Sequence, residues 1–168
     1  PRSLVDLVEH AVQFISASRL NDNCDGTDLP KEASFQHMFS EALARSLPEQ
    51  YTFTAQKKAA ITAGRGGSVG FFINGTLDWA LELLCDTNLV DEHMTRFREG
   101  TGEFSSLRPK QWLVVACRGP KTHRRTDSEL ECAKGFCTLY FDFRNTKCEM
   151  AVYDDQGAKR IVIIELQV

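Results

Sequence analysis

The stretch that decides the fold reads Ser68-Val-Gly-Phe-Phe-Ile73, Asn74-Gly75, Thr76-Leu-Asp-Trp-Ala-Leu-Glu-Leu-Leu84 and then Asp91-Glu-His-Met-Thr-Arg-Phe97. Asn-Gly between two apolar, β-prone runs is the strongest short hairpin signal, because both central residues of a type I′ turn take φ > 0. We therefore predict a strand, a two-residue turn and a second strand. In that register Gly70 faces Trp79 and lies on the face opposite to Glu82; a bulge or a three-residue loop would bring the two residues to the same face.

The pattern downstream of this hairpin changes from a period of two to helical spacing, which predicts a helix over residues 89–97. Residues 110–117 then form an apolar run suited to a strand that is buried on both faces. A helix between the hairpin and this strand gives a βαβ crossover. The sequence therefore predicts a mixed β-sheet with helices packed on it.

The flanking segments complete this α/β fold. Residues 2–19 and 31–47 carry amphipathic helical patterns, the second between Pro30 and Pro48. Residues 51–56 alternate like a strand, and Lys57-Lys58 favours an edge position. A C-terminal β-meander is predicted from residues 135–143, 148–153 and 160–167. We expect a single folded unit overall, with an N-terminal helix and polar loop at 1–28 and the main domain at 29–168.

Composition limits the function classes. A chain of 168 residues with 42% apolar residues is expected to fold as one domain. Its net charge of −3 argues against a protein that coats nucleic acid indiscriminately, so any nucleic-acid contact must be a local patch. No apolar run is long enough for a membrane span, so we expect no membrane partner. Because the chain opens at Pro1 without a Met, we expect a fragment of a longer protein.

Two further patterns bear on cofactors and redox state. The glycines at 64, 66 and 67 do not follow the phosphate-loop pattern, so no nucleotide cofactor is predicted. The six cysteines form no C-x-x-C pair, and we favour reduced thiols over disulfides because a chain of this length needs no covalent staples. Cys85 and Cys117 fit small core residues.

The central stretch resembles the C-terminal domain of Crinkler-type effectors. The resemblance rests on Gly70-Phe-Phe-Ile73, Trp79-Ala-Leu-Glu-Leu-Leu84 and Glu92-His-Met-Thr-Arg-Phe97, followed by an apolar strand ending in Arg118. The upstream Leu29-Pro-Lys-Glu-Ala-Ser-Phe-Gln-His-Met is similar to that family's first core helix. The resemblance implies a restriction-endonuclease-like core of the PD-(D/E)xK superfamily, in a protein that a filamentous microbe secretes and delivers to host nuclei.

The resemblance also implies a catalytic set that holds Mg²⁺ and activates water. Carried over by position, the family's Asp falls at Gly70, its strand Glu at Glu82 and its Lys at Leu84, so only Glu82 is retained. The first core helix offers Glu32 and Gln36 as further catalytic candidates. Asp78 cannot replace the missing Asp, because four residues along a strand separate it from Glu82 by about 13 Å.

The residues themselves leave several interpretations open. A carboxylate in an apolar strand must be paired or metal-bound or lie at a wet face, so Glu82 is either a vestigial metal ligand or part of an ion pair with Arg96 or Arg118. His93 and Arg96 lie three residues apart on a helix and could bind a phosphate or a carboxylate together, although His93 also fits a core histidine. Residues 108–125 contain six Lys/Arg and no acid, which fits either a solvated loop or a phosphate-contacting one. The candidate phosphate contacts in this segment are Arg118, Lys121, His123, Arg124 and Arg125.

Three functions follow. The favoured one is an effector domain with a degenerate metal site and no cofactor, which acts in host nuclei by binding DNA or a nuclear protein. The second is an active Mg²⁺-dependent endonuclease with relocated catalytic residues, for which Glu32, Glu41, Asp86 and Lys57 or Lys58 are the options. The third is a structural or regulatory domain of a longer effector.

Overall fold

The computed structural model describes residues 1–24, 29–58, 68–85, 90–98, 102–119, 134–154 and 156–168. Within them the chain forms, in order, α1 (Leu4–Val12), α2 (Ala17–Asp22), α3 (Glu32–Ser46), β1 (Phe53–Lys58), β2 (Ser68–Ile73), β3 (Trp79–Leu84), α4 (Val90–Arg96), a 3-10 turn (Ser105–Leu107), β4 (Gln111–Arg118), β5 (Phe136–Asp142), β6 (Lys147–Tyr153) and β7 (Lys159–Glu165).

The seven strands form one mixed sheet in which strand order equals chain order. Strands β1, β2 and β3 are antiparallel to one another, β3, β4 and β5 are parallel, and β5, β6 and β7 are again antiparallel. The predictions of a mixed sheet, of β1 at an edge and of a C-terminal meander are confirmed. The second parallel pair, β4 with β5, was not predicted.

Helices α1 and α3 cover one face of the sheet and form with it the larger of two hydrophobic cores, here called the first core. Ser3 caps α1 by accepting a hydrogen bond from Asp6 N. The ring of Phe35 on α3 lies 5.5 Å from the ring of Phe141 on β5, and the ring of Phe39 lies 5.8 Å from that of Phe71 on β2. Aromatic contacts therefore tie α3 to strands on both sides of the sheet centre.

Helix α4 covers the other face, with a smaller second core that includes Val69, Phe72, Ala80, Leu84, Val90, Met94, Phe97, Phe104, Val114, Ala116 and Phe136. Phe97 stacks on Trp112 with ring centroids 4.8 Å apart. Gly135, at φ +87°, lies against the other part of the indole, and a Cβ at this position would overlap the Trp112 ring carbons. Only glycine fits here, because both the backbone angle and the space exclude a side chain.

The predicted helix over residues 2–19 is wrong in its continuity. Helix α1 ends at Val12, and α2 begins after Ser16, whose side chain accepts from Arg19 N. The break has a long-range cause, because Ala17 N donates to Gln167 O (2.9 Å) and Gln167 N donates to Ile15 O (3.0 Å). Extended backbone is needed at residues 15–17 to make these bonds.

None of the helices in the described part of the chain is long and apolar enough to cross a membrane. Cys24, Cys85, Cys117, Cys137 and Cys148 are free thiols, and all but Cys85 are buried.

Candidate functional site

The hairpin before the site has a five-residue turn, so the predicted two-residue turn is wrong. Ile73 pairs with Trp79, which leaves residues 74–78 in the turn. Gly75 and Asp78 take φ values of 88° and 49°. Lys110 fixes the turn from a distance: its backbone N–H donates to Asp78 O (2.7 Å), and its Nζ donates to Thr76 O (2.8 Å). The longer turn shifts the register and brings Gly70 opposite Glu82, on the same face.

Glu82 is a buried carboxylate on the α4 face of β3. Its neighbours on this face, Ala80 and Leu84, belong to the second core, and its side chain is only 6% exposed. Oε1 accepts a hydrogen bond from Gly70 N (3.0 Å), and Oε2 lies 2.6 Å from His93 Nδ1. Both oxygens therefore have partners, as a buried carboxylate requires. The side-chain partner of the Glu82 carboxylate is His93, and neither Arg96 nor Arg118 bonds to it.

Gly70 departs from the regular ladder at this point. The β2–β3 pairing ends at Phe71 and Leu81, and the next N–H, that of Gly70, turns to the Glu82 carboxylate instead of a carbonyl. A Cβ at position 70 would lie 3.2 Å from Leu81 O. This is tighter than most side chains tolerate, so glycine permits the close approach between backbone and carboxylate. Gln56, on the facing strand β1, takes φ 53° beside this irregularity.

Helix α4 supplies the other half of the cluster. His93 Nδ1 lies at hydrogen-bond distance from Glu82 Oε2, and a carboxylate oxygen is an acceptor for an imidazole N–H. Arg96 Nη1 approaches the same nitrogen at 3.4 Å. The rest of this guanidinium contacts two other carboxylates: Nη2 lies 2.6 Å from Glu92 Oε1, and Nε lies 3.3 Å from Glu103 Oε2. Arg96 is therefore held between the helix surface and residue 103.

The charge balance of this group does not suit an anion. Three carboxylates, Glu82, Glu92 and Glu103, surround one guanidinium and one imidazole. A phosphate would have to displace carboxylates from Arg96 and would be repelled by those that remain. The structure thus brings His93 and Arg96 together, as the spacing predicted. Of the two predicted ligands, a phosphate or a carboxylate, they contact carboxylates, which belong to the same chain. Spacing could have revealed one of them, because Glu92 lies four residues before Arg96.

Arg118 lies away from this cluster. It is 1% exposed, and its guanidinium carbon lies 5.8 Å from the centroid of the Tyr140 ring on β5. Glu82 pairs with Val114, four residues before Arg118 on β4. That separation is about 13 Å along a strand, and the two Glu82 oxygens contact Gly70 N and His93 Nδ1 instead, so the proposed Glu82–Arg118 pair does not form. The side chain is an internal packing element at the end of β4, covered from solvent.

Glu32 and Gln36 lie at the start of α3 and bond to each other, Gln36 Nε2 donating to Glu32 Oε1 (2.9 Å). The chain of side chains continues to β1, where Gln56 Nε2 donates to Gln36 Oε1 (3.2 Å), and to β2, where Ser68 Oγ donates to Gln56 Oε1 (2.9 Å). These hydrogen bonds lead along the exposed edge of the sheet and not to Glu82. The catalytic role of Glu32 and Gln36 stays a prediction, and no described hydrogen bond connects these two residues to Glu82.

The remaining candidates are distributed elsewhere. Leu84, at the position of the family's Lys, is buried in the second core. Glu41 forms an ion pair with Arg19 on α2, and the hydrogen bond from that guanidinium holds the pKa of the Glu41 carboxyl below its usual range. Lys121, His123, Arg124, Arg125 and Asp86 lie outside the described residues, as does the glycine cluster at 64–67.

The site residues do not fit Mg²⁺. The ion needs near-octahedral oxygen ligands, normally with one or two carboxylates. Here Glu82 offers one carboxylate whose two oxygens already accept hydrogen bonds, and Gly70 presents an N–H donor where an oxygen ligand is required. Within the described ranges, no three His, Cys, Asp or Glu side chains are grouped so that they could hold a metal ion.

Comparison of the chain with protein-family models, curated proteins and solved structures found no match. No relative therefore assigns the chain to a family, and its function has to be inferred from the residues of the site.

Proposed function

We propose that this domain is a non-catalytic binding module on a nuclease-type scaffold, of the kind that Crinkler-type effectors carry, and that it acts in host nuclei by binding a nuclear protein. The order α3, β1, β2, β3, α4 and β4 supports the scaffold, because it agrees with the helix-strand-hairpin-helix-strand core that the sequence resemblance implies. The parallel pairing of β3 with β4 is also what a crossover through α4 requires.

One observation carries the non-catalytic part of the proposal. Position 70 lies directly beside Glu82, where the resemblance places an Asp, yet it holds a glycine whose N–H donates to the carboxylate. His93 takes the second oxygen. The carboxylate thus serves as a structural link between β2, β3 and α4. A nuclease of this superfamily needs the same carboxylate as a metal ligand.

The charges near the site favour a protein over DNA as the partner. Cations that a phosphate backbone needs are here paired with acids: Arg96 with Glu92 and Glu103, and Lys110 with Asp78 at 3.0 Å. The net charge of −3 points the same way. The DNA contacts that the sequence predicts outside this site are Lys121, Arg124 and Arg125.

A plasmid-nicking assay with Mg²⁺ or Mn²⁺ tests the loss of catalysis. We expect the wild type and the Glu82→Gln and Glu32→Gln variants to leave supercoiled plasmid intact, indistinguishable from an EDTA control. Cleavage by the wild type that Glu82→Gln or Glu32→Gln abolishes, with the circular dichroism spectrum unchanged, would establish the active endonuclease instead. Glu82→Gln keeps the size of the side chain and an oxygen for Gly70 N–H, so it separates chemistry from folding.

The partner is tested by cross-linking the domain in host nuclear extract, with and without digestion of nucleic acid. We expect a discrete protein adduct that survives the digestion. Fluorescence anisotropy on duplex DNA at low salt gives the contrary outcome: steeply salt-dependent binding that Arg124→Glu/Arg125→Glu flattens would make DNA the partner. The nicking assay is unaffected by this choice, so the two parts of the proposal can fail separately.

A further inference from the structure

Strand β7 forms one edge of the sheet, and its backbone groups alternate between β6 and the outside. Leu166 N donates to Thr146 O (2.8 Å) and Asp154 N donates to Ala158 O (3.1 Å), both in the register of the β6–β7 ladder. Even-numbered residues of β7 therefore bond to β6, and odd-numbered residues direct their N–H and C=O outward. Gln167 follows the same alternation, because its outward groups bond to residues 15–17.

The side chains at this edge are unusual for an edge strand. Ile161 and Ile163 are 52% and 55% exposed and project from the same side of β7. Val162 and Ile164, on the other side, pack in or against the first core. Natural sheets normally protect an edge with inward charges, prolines or bulges, because its unpaired groups are a template for another strand. The centre of β7, Ile161-Val-Ile-Ile164, has none of these devices.

The charges of β7 complement those of a second copy. Lys159 stands at one end of the strand and Glu165 at the other. If two β7 strands pair antiparallel about a twofold axis through Val162, Lys159 lies opposite Glu165 of the other copy, and Ile161 lies opposite Ile163. These are all odd-numbered residues, so the outward N–H and C=O groups of each strand meet those of the other.

Neighbouring registers lack this fit. Moving the axis to Ile163 would place Lys159 against Gln167, whose backbone is already occupied by residues 15–17. Moving it to Ile161 would place Glu165 against Gly157 and remove both Lys–Glu pairs. The occupied backbone of Gln167 thus disfavours the register centred on Ile163, and the loss of the Lys–Glu pairs disfavours the register centred on Ile161. The register centred on Val162 is favoured over both.

We propose that β7 pairs with β7 of a second copy of this chain and forms a homodimer with one sheet continuous through both subunits. The contact is isologous, so each pair occurs twice. It pairs the outward N–H and C=O groups of Ile161 with those of Ile163 and places these side chains of both copies in one apolar cluster on the same face. An edge contact buries less area than a standard interface, so the dimer is expected to dissociate on dilution.

Sedimentation velocity over a concentration series tests the dimer. We expect the wild type to shift from monomer to dimer as concentration rises. Ile163→Pro removes an outward N–H and leaves the bonds between β6 and β7 in place, so it should remain monomeric throughout with an unchanged circular dichroism spectrum. The matched control is Lys58→Glu on β1, the opposite edge strand, which should dimerise like the wild type.

A charge exchange tests the register. Lys159→Glu and Glu165→Lys each place like charges opposite one another twice, and each should weaken self-association by about tenfold at low salt. In an equimolar mixture of the two variants, a heterodimer again has opposite charges at both contacts between positions 159 and 165. Heterodimers should therefore form with the strength of the wild type, measured by energy transfer between labelled chains. Glu165→Lys also brings two cations together within its own chain, because Lys147 lies 3.4 Å from Glu165 in the wild type, and the mixture controls for that change.

A wild type that stays monomeric at every concentration would overturn the proposal. A dimer that Ile163→Pro leaves intact would overturn it as well, because another surface would then hold the copies together. A mixture that associates no better than the separate variants would refute the register centred on Val162.

Discussion

The two faces of the sheet differ in the chemistry that they bury. The first core, beneath α1 and α3, is built from aliphatic and aromatic side chains and thiols. The face beneath α4 has a smaller apolar core and holds buried polar side chains of three strands: Glu82 on β3, Arg118 on β4 and Thr138 on β5. Ser46, on α3, is the other buried polar residue of the described ranges, and it bonds to Ala42 O within its own helix.

This difference assigns separate tasks to the two faces. Apolar burial contributes most of the folding free energy, and the first core provides most of it. The α4 face buries ionisable groups, and burying such a group costs free energy unless it is paired. The side chains on this face therefore have to lie within hydrogen-bond distance of their partners. Buried acidic and basic side chains with specific partners are candidates for a functional site, and in the described residues they lie on the α4 face.

The largest effect is expected from a cavity in the first core. Phe35 is fully buried and contacts the rings of Phe39 and Phe141. Phe35→Ala should lower the free energy of unfolding by about 3–5 kcal/mol. Phe97→Ala, on the α4 face, is the matched variant and should cost about 2–3 kcal/mol, because Phe97 is buried in the smaller of the two cores. Urea denaturation followed by circular dichroism measures both values, and a larger loss for Phe97→Ala would reverse the assignment of the two faces.

An intermediate effect is expected from the buried pair. His93→Leu leaves Glu82 with Gly70 N–H as its remaining described partner and should cost about 2–3 kcal/mol. Glu82→Leu/His93→Leu removes both polar groups and should cost less than His93→Leu alone, since an apolar pair needs no compensation.

The double-mutant cycle gives the coupling energy between the two residues. Glu92→Ala, at an exposed carboxylate of the same cluster, is the control and should change stability by less than about 1 kcal/mol. Additive effects of Glu82→Leu and His93→Leu would show that the 2.6 Å contact contributes nothing to stability.

The smallest effect concerns the thiols of the first core and appears only at high pH. Burial raises the pKa of the Cys117, Cys137 and Cys148 thiols above the usual range of cysteine. Their neutral form is favoured in the folded state, so the unfolded state releases protons first as pH rises. The contribution of these thiols to the free energy of unfolding is therefore fully present below the pKa that they have in the unfolded state, and it decreases as pH rises above that value. We expect a loss of roughly 2 kcal/mol between about pH 7.5 and pH 9.

Urea denaturation at several pH values checks this slope. The variant Cys117→Ala/Cys137→Ala/Cys148→Ala is the control: it should be less stable at neutral pH but flatter in its pH dependence. An equally steep profile in that variant would assign the slope to other groups.

Local pattern predicted the elements well and their junctions poorly. The strand predicted at 110–117 is β4, Gln111–Arg118, and the helix predicted at 89–97 is α4, Val90–Arg96. Both depend on apolar periodicity within the segment itself. The turn after Ile73 was mispredicted because Asn74-Gly75 is a local signal, whereas Lys110, 34 residues from Thr76, fixes the longer turn.

The site shows the same limit. Burial of Glu82 and its need for a partner followed from its apolar neighbours, and the closeness of His93 to Arg96 followed from helical spacing. The choice of His93 over Arg96 as the partner depends on how α4 lies across β3, which no local pattern encodes. The role of Gly70 could not be inferred because it depends on the register that the turn sets.

The strand order of the sheet has a consequence for synthesis on the ribosome. Because each strand lies beside its neighbour in the chain, every new strand can join an edge that already exists, and no segment has to be threaded between others. Helix α1 needs late partners as well as early ones: besides α3 it contacts β4 and β6, and Leu4 N bonds to the side chain of Gln111, 107 residues later. Helix α3 can therefore cover part of the apolar side of α1 before the sheet forms, and the rest is covered only when β4 and β6 are in place.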